Sequence, residues 1–279
     1  WGVTRVRLTG GEPTVRKGLT ALVSRLSGIR GDDGPLEVVM TTNGERLADL
    51  AQELAQAGLS ALTVSVDSLD PARFHAITRR GELSRVIAGI DAARAAGLAP
   101  IKINTVAVRG FNDDELATLV RFAWDRGLVP RFIELMPMAS GRLFVPGELL
   151  PAAEIRAAIA AGLGAVLAAD DGEGVRGLGP ARYCRVVDGP YAGRRFGVIA
   201  AITENFCDTC NRLRVSATGQ LHACLARDES GDLREALRSG DPSALEERVR
   251  AVLGAKQDRH GFGRDGTGGP KKAMISIGG

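Results

Sequence analysis

Along the first half of the chain, short apolar runs alternate with longer amphipathic stretches. Residues 3–9, 36–42, 61–67, 101–108 and 130–136 are rich in β-branched residues or leucine and read as strands. A polar turn follows each, then a helical pattern over 17–28, 46–57, 84–96, 113–126 and 151–162. Ala57-Gly58, Ala96-Gly97 and Arg126-Gly127 read as helix C-termini, where glycine turns the chain without strain. Strand–helix repetition needs crossover connections, which predicts a parallel sheet. Such a sheet has both faces covered or curls into a barrel. Five units are too few for an eight-fold barrel. The expected fold class is α/β, a partial (β/α) barrel truncated at its first βα unit.

In barrels of this kind the chemistry gathers at the C-terminal ends of the strands. Polar residues do cluster there: Thr9-Gly10-Gly11-Glu12-Pro13, Thr41-Thr42-Asn43-Gly44, Ser65-Val66-Asp67-Ser68 and Glu134-Leu135-Met136-Pro137. Beyond about residue 140 the beat stops. Residues 170–182 are glycine-rich and read as a loop, lid or spacer. Residues 183–188, 195–202, 211–217 and 220–224 read as short antiparallel strands, and helices are expected near 231–239 and 241–254. The expected domains are therefore 1–140, the barrel, and 141–279, an α+β extension ending in a polar, glycine-rich tail.

Composition narrows the partners. Apolar residues make 44% of the 279, charged residues 25%, and the net charge is only +3. That excess is too small to suggest nucleic acid, yet a few converging arginines would suit a small anion. No apolar run approaches the ~20 residues that cross a bilayer. Only four cysteines occur, Cys184, Cys207, Cys210 and Cys224, too sparse for a disulfide scaffold, and the cytoplasm is the expected compartment.

Three of those cysteines form C-x2-C-x13-C. Soft thiolates select zinc or an iron–sulfur cluster. Zinc would want a fourth ligand, which His222 or Cys184 could supply. A [4Fe–4S] cluster on three thiolates would keep one iron open to a substrate atom. Arg212 and Arg214 stand at alternate positions, so in a strand both would share a face beside the metal and suit a polyphosphate. Arg7 and Lys102 lie inside predicted strands, where a buried cation is costly unless an anion meets it. Arg5 and Arg131 are weaker candidates of the same kind. Cys184 is expected to be a buried small apolar residue.

Together these segments carry a resemblance. LTGGEP at 8–13 resembles the Gly-Gly-Glu-Pro signature of radical S-adenosylmethionine enzymes. With TTNG (41–44), SVDSLDP (65–71), IKINTV (101–106), RGFNDDE (109–115), RFIELMPM (131–138), FCDTCNRLR (206–214) and IGG (277–279), the chain is similar throughout to the GTP 3',8-cyclase family of molybdenum-cofactor biosynthesis. The resemblance implies a lyase in which a 5'-deoxyadenosyl radical takes the 3' hydrogen of GTP, and the ribose radical attacks C8, giving 3',8-cyclo-7,8-dihydro-GTP. It implies a [4Fe–4S] cluster on Cys207, Cys210 and Cys224 that meets the purine. It implies that Gly11, Ser65 and Met136 hold S-adenosylmethionine, and that Arg7, Thr41, Lys102, Arg212 and Arg214 hold GTP. It further implies that Gly278 and Gly279 enter the active site. A homodimer, a reductant protein and a downstream cyclic pyranopterin monophosphate synthase are the implied partners. The family's C-x3-C-x2-C motif, which holds the radical-generating cluster, does not occur here and is expected upstream of Trp1; without it this chain is expected to be inactive. The alternatives are a peptide-modifying radical enzyme and a non-catalytic zinc-binding relative.

Overall fold

The computed structural model describes residues 2–139, 145, 147–170 and 179–277. The first half is built from β1 (Arg5–Leu8), α1 (Leu19–Ser27), β2 (Glu37–Thr42), α2 (Leu47–Gln56), β3 (Ala61–Ser65), α3 (Pro71–Thr78), α4 (Leu83–Ala95), β4 (Ile101–Ala107), α5 (Leu116–Asp125) and β5 (Val129–Glu134). Each long helix arises where apolar residues recur at helical spacing. Leu47, Ala51 and Leu54 bury one face of α2, and Leu83, Val86, Ile90 and Ala93 one face of α4. The left-handed glycines Gly58, Gly97 and Gly127 follow α2, α4 and α5 as expected. Helix α3 was not anticipated, although its signal is local: Asp70 accepts a hydrogen bond from Arg73 N at 2.8 Å, and Pro71 opens the first turn.

The chain continues with α6 (Ala152–Leu163), β6 (Leu167–Asp170), β7 (Arg182–Val186) and β8 (Arg195–Ile199). One open sheet of eight strands runs in the order β1-β2-β3-β4-β5-β8-β7-β6, so the curl into a partial barrel leaves two free edges. Strands β1 to β5 and β8 are parallel neighbours. The strand expected at 195–202 pairs antiparallel with β7 as expected, but on its other side β8 pairs in parallel with β5 (Gly197 with Arg131, Val198 with Phe132), and β6 pairs antiparallel with β7. Two reversals, β6 to β7 to β8, restore the original direction.

Because β1 to β5 are laid down in chain order and crossovers are right-handed, their helices fall on one side of the sheet. That side is the core: Val38, Met40, Leu62, Val64, Ile103, Phe132, Phe196 and Val198 are all buried in one apolar cluster. The intervening positions on the same strands face the other way and include the polar residues Thr41, Thr63, Ser65, Lys102, Asn104 and Arg131.

The remainder holds β9 (Arg214–Val215), β10 (Gln220–His222), β11 (Gly231–Asp232), α7 (Arg234–Ser239) and α8 (Pro242–Gly254). The three short strands form a separate antiparallel sheet. The strand expected at 211–217 is only two residues long, which leaves Arg212 in irregular chain before it. The assumption that Arg212 and Arg214 alternate along one strand is thus corrected.

Candidate active site

The helix-free face of the sheet brings distant polar residues into rows. Thr41 of β2 stands beside Thr63 of β3, and Thr63 beside Lys102 of β4. Ser65, Asn104 and Arg131 form the next row, continued by Gly197. Arg7 of β1 donates to Thr41 Oγ1 at 3.1 Å and to Thr63 Oγ1 at 3.3 Å. Arg131 donates to Asn104 Oδ1 at 3.0 Å and to Thr63 Oγ1 at 3.3 Å. Thr63 therefore receives two guanidinium groups, and the structure brings Arg7, Thr41 and Lys102 together around it. Arg5, the weaker candidate, is tied to Glu37 at the rim.

This face is strongly cationic. Lys102 is 3% exposed, and burial followed by the charges of Arg131 and Arg7 brings its amine down to about 8. Arg7 keeps surface open to solvent on the edge strand, yet crowding by protein atoms, then Arg131 and Arg5, pulls it down to about 10. Arg131 is likewise lowered, chiefly by burial. Arg212, from the cysteine segment, also depresses Arg7, so the hairpin contributes charge to the same space.

The strand-end turns are fastened by buried or half-buried acids. Glu12 accepts from Thr14 N (2.9 Å), Thr14 Oγ1 (2.6 Å), Thr42 Oγ1 (2.7 Å) and Asn43 N (2.7 Å), binding the GGEP turn to the end of β2. Gly10, with φ 118°, is the residue in this turn that demands glycine. Gly11 is exposed, with open space where a Cβ would point, as suits a backbone that a ligand approaches. Asp67, beyond Ser65, is raised to about 6 by burial, which outweighs its hydrogen bond from Val106 N at 2.8 Å. Asn112 is fully buried and bridges the carbonyls of Asp67 (2.7 Å) and Val106 (2.9 Å). Gly11, Ser65 and Met136 thus leave the sheet at one edge, after or at the ends of β1, β3 and β5; the last two are half-buried.

Cys207 and Cys210 span a single 3-10 turn, closed by a hydrogen bond from Cys210 N to Cys207 O at 3.0 Å. Burial raises the Cys210 thiol, but hydrogen bonds from Arg212 and the charges of Arg212 and Lys256 prevail and hold it below its ordinary value. Arg212 reaches Cys210 Sγ at 3.2 Å and lies 4.9 Å over the Phe206 ring. Arg214 is lowered by burial and by Arg212, while Cys210 and Cys224 both support its charge. One cation thus feels two cysteines, Cys210 ahead of β9 and Cys224 just past β10.

All four cysteines are free. Among the described residues, no three His, Cys, Asp or Glu side chains stand close enough to hold a single metal ion. Neither His222 nor Cys184 completes a zinc site there; Cys184 belongs to the core of the main sheet. A four-iron cluster is broader than one ion and takes its thiolates further apart. The donor set of three soft thiols beside two cations fits such a cluster. Gly278 and Gly279 lie outside the described residues.

The reading of the sequence missed Thr63, Asn104 and Glu12. The first two share the period-two alternation that exposed Arg7 and Lys102. Glu12 was visible only as part of a motif.

A mostly parallel sheet with one cationic face, glycine-rich strand ends and a cysteine hairpin defines a class, and comparison with known proteins agrees. The radical SAM superfamily model matches residues 1–123, and the Molybdenum Cofactor Synthesis C model matches residues 129–262. The molecule is a radical SAM protein carrying a molybdenum-cofactor synthesis region. A GTP 3',8-cyclase of Pseudomonas entomophila is 44% identical over 264 residues, 94% of this chain and 76% of that protein. Those of Nitrobacter hamburgensis and Pelotomaculum thermopropionicum are 42% and 43% identical, covering 94% and 93% of this chain and 74% and 77% of theirs. This chain belongs to the GTP 3',8-cyclase family, whose cofactors are [4Fe–4S] clusters and S-adenosylmethionine. Among solved structures, a domain of pyruvate-formate lyase-activating enzyme from Bacteroides vulgatus overlays 57% of the chain at TM-score 0.44 and 16% identity, a likeness that adds nothing to the assignment.

Proposed function

We propose that the cationic face holds the triphosphate of GTP and that the cysteine hairpin meets its purine, in the cyclisation of GTP to 3',8-cyclo-7,8-dihydro-GTP. One observation carries this reading: Arg7 and Arg131 both donate to Thr63 Oγ1 with Lys102 beside it, and the charge of Arg212, next to Cys210, bears on Arg7 from the cysteine segment. Sheet and hairpin therefore present like charges to one space, and a polyanion is the ligand that relieves their repulsion. Arg7, Lys102, Arg212 and Arg214 neutralise the phosphates, while Thr41 fixes the Arg7 guanidinium. Burial of Lys102 strengthens each contact by excluding water. Arg212 also favours the ionised thiol of Cys210. When bound there, the cluster supplies an open iron for the purine.

Gly11, Ser65 and Met136 are assigned to S-adenosylmethionine at the strand-end edge. Gly278 and Gly279 are assigned to the active site on the family resemblance. A reductant protein, a downstream cyclic pyranopterin monophosphate synthase, a homodimer and a cytoplasmic setting complete the proposal. No helix among the described residues is long and apolar enough to cross a membrane.

Anaerobic reconstitution followed by calorimetry with GTP, GMP and guanosine tests the assignment. GTP should bind at least tenfold tighter than guanosine, and Arg7→Ala should remove most of that difference, since hydrogen bonds between ions are each worth about 1.5–3 kcal/mol. Equal affinity for the three ligands would refute it.

A further inference from the structure

Glu134 is the last residue of β5, and although it is an acid it is wholly buried. A carboxylate in that position requires donors on every side. Its Oε1 accepts from Ala152 N at 2.8 Å and from the Thr203 hydroxyl, and its Oε2 accepts from Ile202 N at 2.8 Å and Thr203 N at 3.0 Å. The donors come from two places far apart in sequence: the start of α6 and the segment that leaves β8. That second segment is fastened again one residue later, where Glu204 accepts both Arg156 nitrogens of α6, at 2.6 and 2.7 Å. Cys207 lies four residues beyond Thr203, and Met136 two residues beyond Glu134.

We propose that Glu134 is a positioning residue that fixes the cysteine turn relative to the strand-end edge bearing Met136, and so sets the distance between the GTP side and the S-adenosylmethionine side of the active site. It touches neither ligand. Its four hydrogen bonds hold the exit of β8 against the exit of β5, and the chain then has only three intervening residues in which to depart from that position before the first cysteine. The inference rests on the cluster and GTP reading above for its functional half, and on hydrogen bonding alone for its structural half.

Glu134→Gln tests both halves. The substitution preserves shape, but whichever way the amide is turned its NH2 meets backbone N–H groups: that of Ala152 at one site, those of Ile202 and Thr203 at the other. The chain reconstituted anaerobically with iron and sulfide would be followed by peptide-resolved hydrogen exchange and by the GTP concentration that half-perturbs its cluster spectrum. Exchange over 200–210 should quicken about tenfold while β2 and β3 stay unchanged, and half-perturbation should need about tenfold more GTP at equal iron content. Arg7→Ala, as a control, should weaken GTP without altering exchange over 200–210. Should the glutamine variant fail to fold, Thr203→Val removes one donor and should give a smaller, equally local increase. Unchanged exchange in the variants, or a rise spread evenly over the sheet, overturns the proposal. If the unsubstituted chain shows no spectral response to GTP, the GTP reading falls, while the exchange measurement still decides whether Glu134 holds the turn.

Discussion

Lys102 shows at the scale of one residue how binding and stability are opposed. Its amine is lowered to about 8 from 10.5 by burial, then by Arg131 and Arg7. Below about pH 8 both folded and unfolded chains carry the proton, and the cost of burying it is fully present. Between about pH 8 and 10.5 the folded chain has released the proton and the unfolded chain has not, so stability rises with pH across that window. Lys102→Met keeps the apolar stem and removes the charge. At pH 7 it should stabilise the unliganded protein by about 2 kcal/mol in urea unfolding, while weakening GTP. A lower urea midpoint would contradict this account. A triphosphate favours the charged amine, so the affinity of the unsubstituted protein for GTP should fall between pH 7 and 9.5.

The turns and helices show which elements are held by their own sequence and which by neighbours. Helix α4 begins and ends within one residue of the position expected from its apolar spacing, because that spacing is local. The parallel pairing of β8 with β5 was not legible, because it depends on the two reversals before it and on a partner some 65 positions away. The two-residue strand β9 similarly shows how little pairing an antiparallel hairpin needs when its neighbours hold it. The GGEP turn combines both cases: Gly10 supplies a backbone conformation readable from residue type, whereas Glu12 gains its role from Thr42, which ends another strand, and Asn43 just beyond it. Glu12→Ala should cost about 2–4 kcal/mol, judged from the loss of hydrogen bonds to a charged group. Denaturant unfolding would measure it, and a loss below 0.5 kcal/mol, the size of an ordinary surface change, would show that the turn is held by other contacts.

Over the whole molecule, charge is distributed more tellingly than its sum. A net charge of +3 predicts little, yet Arg7, Lys102 and Arg131 crowd one face of the sheet and Arg212, from the cysteine segment, bears on Arg7. The cations inside strands were legible, since a lysine or arginine interrupting an apolar run stands out. Their convergence was not, because it follows from strand order. Raising salt from 0.05 to 0.5 M should weaken GTP about tenfold and leave guanosine nearly unaffected, since screening acts on the phosphates alone. Matching losses for both ligands would mean that the face does not recognise charge.

The order of the strands also bears on how the molecule is made. From β1 to β5 each new strand pairs with the one synthesised just before it. A chain emerging from the ribosome can therefore extend the sheet one unit at a time, with a template always waiting. β8 must wait for β6 and β7 to be synthesised before it docks on β5, and the cysteines come later still. The cysteines that would hold a cluster are thus synthesised only after every strand of the main sheet has been made.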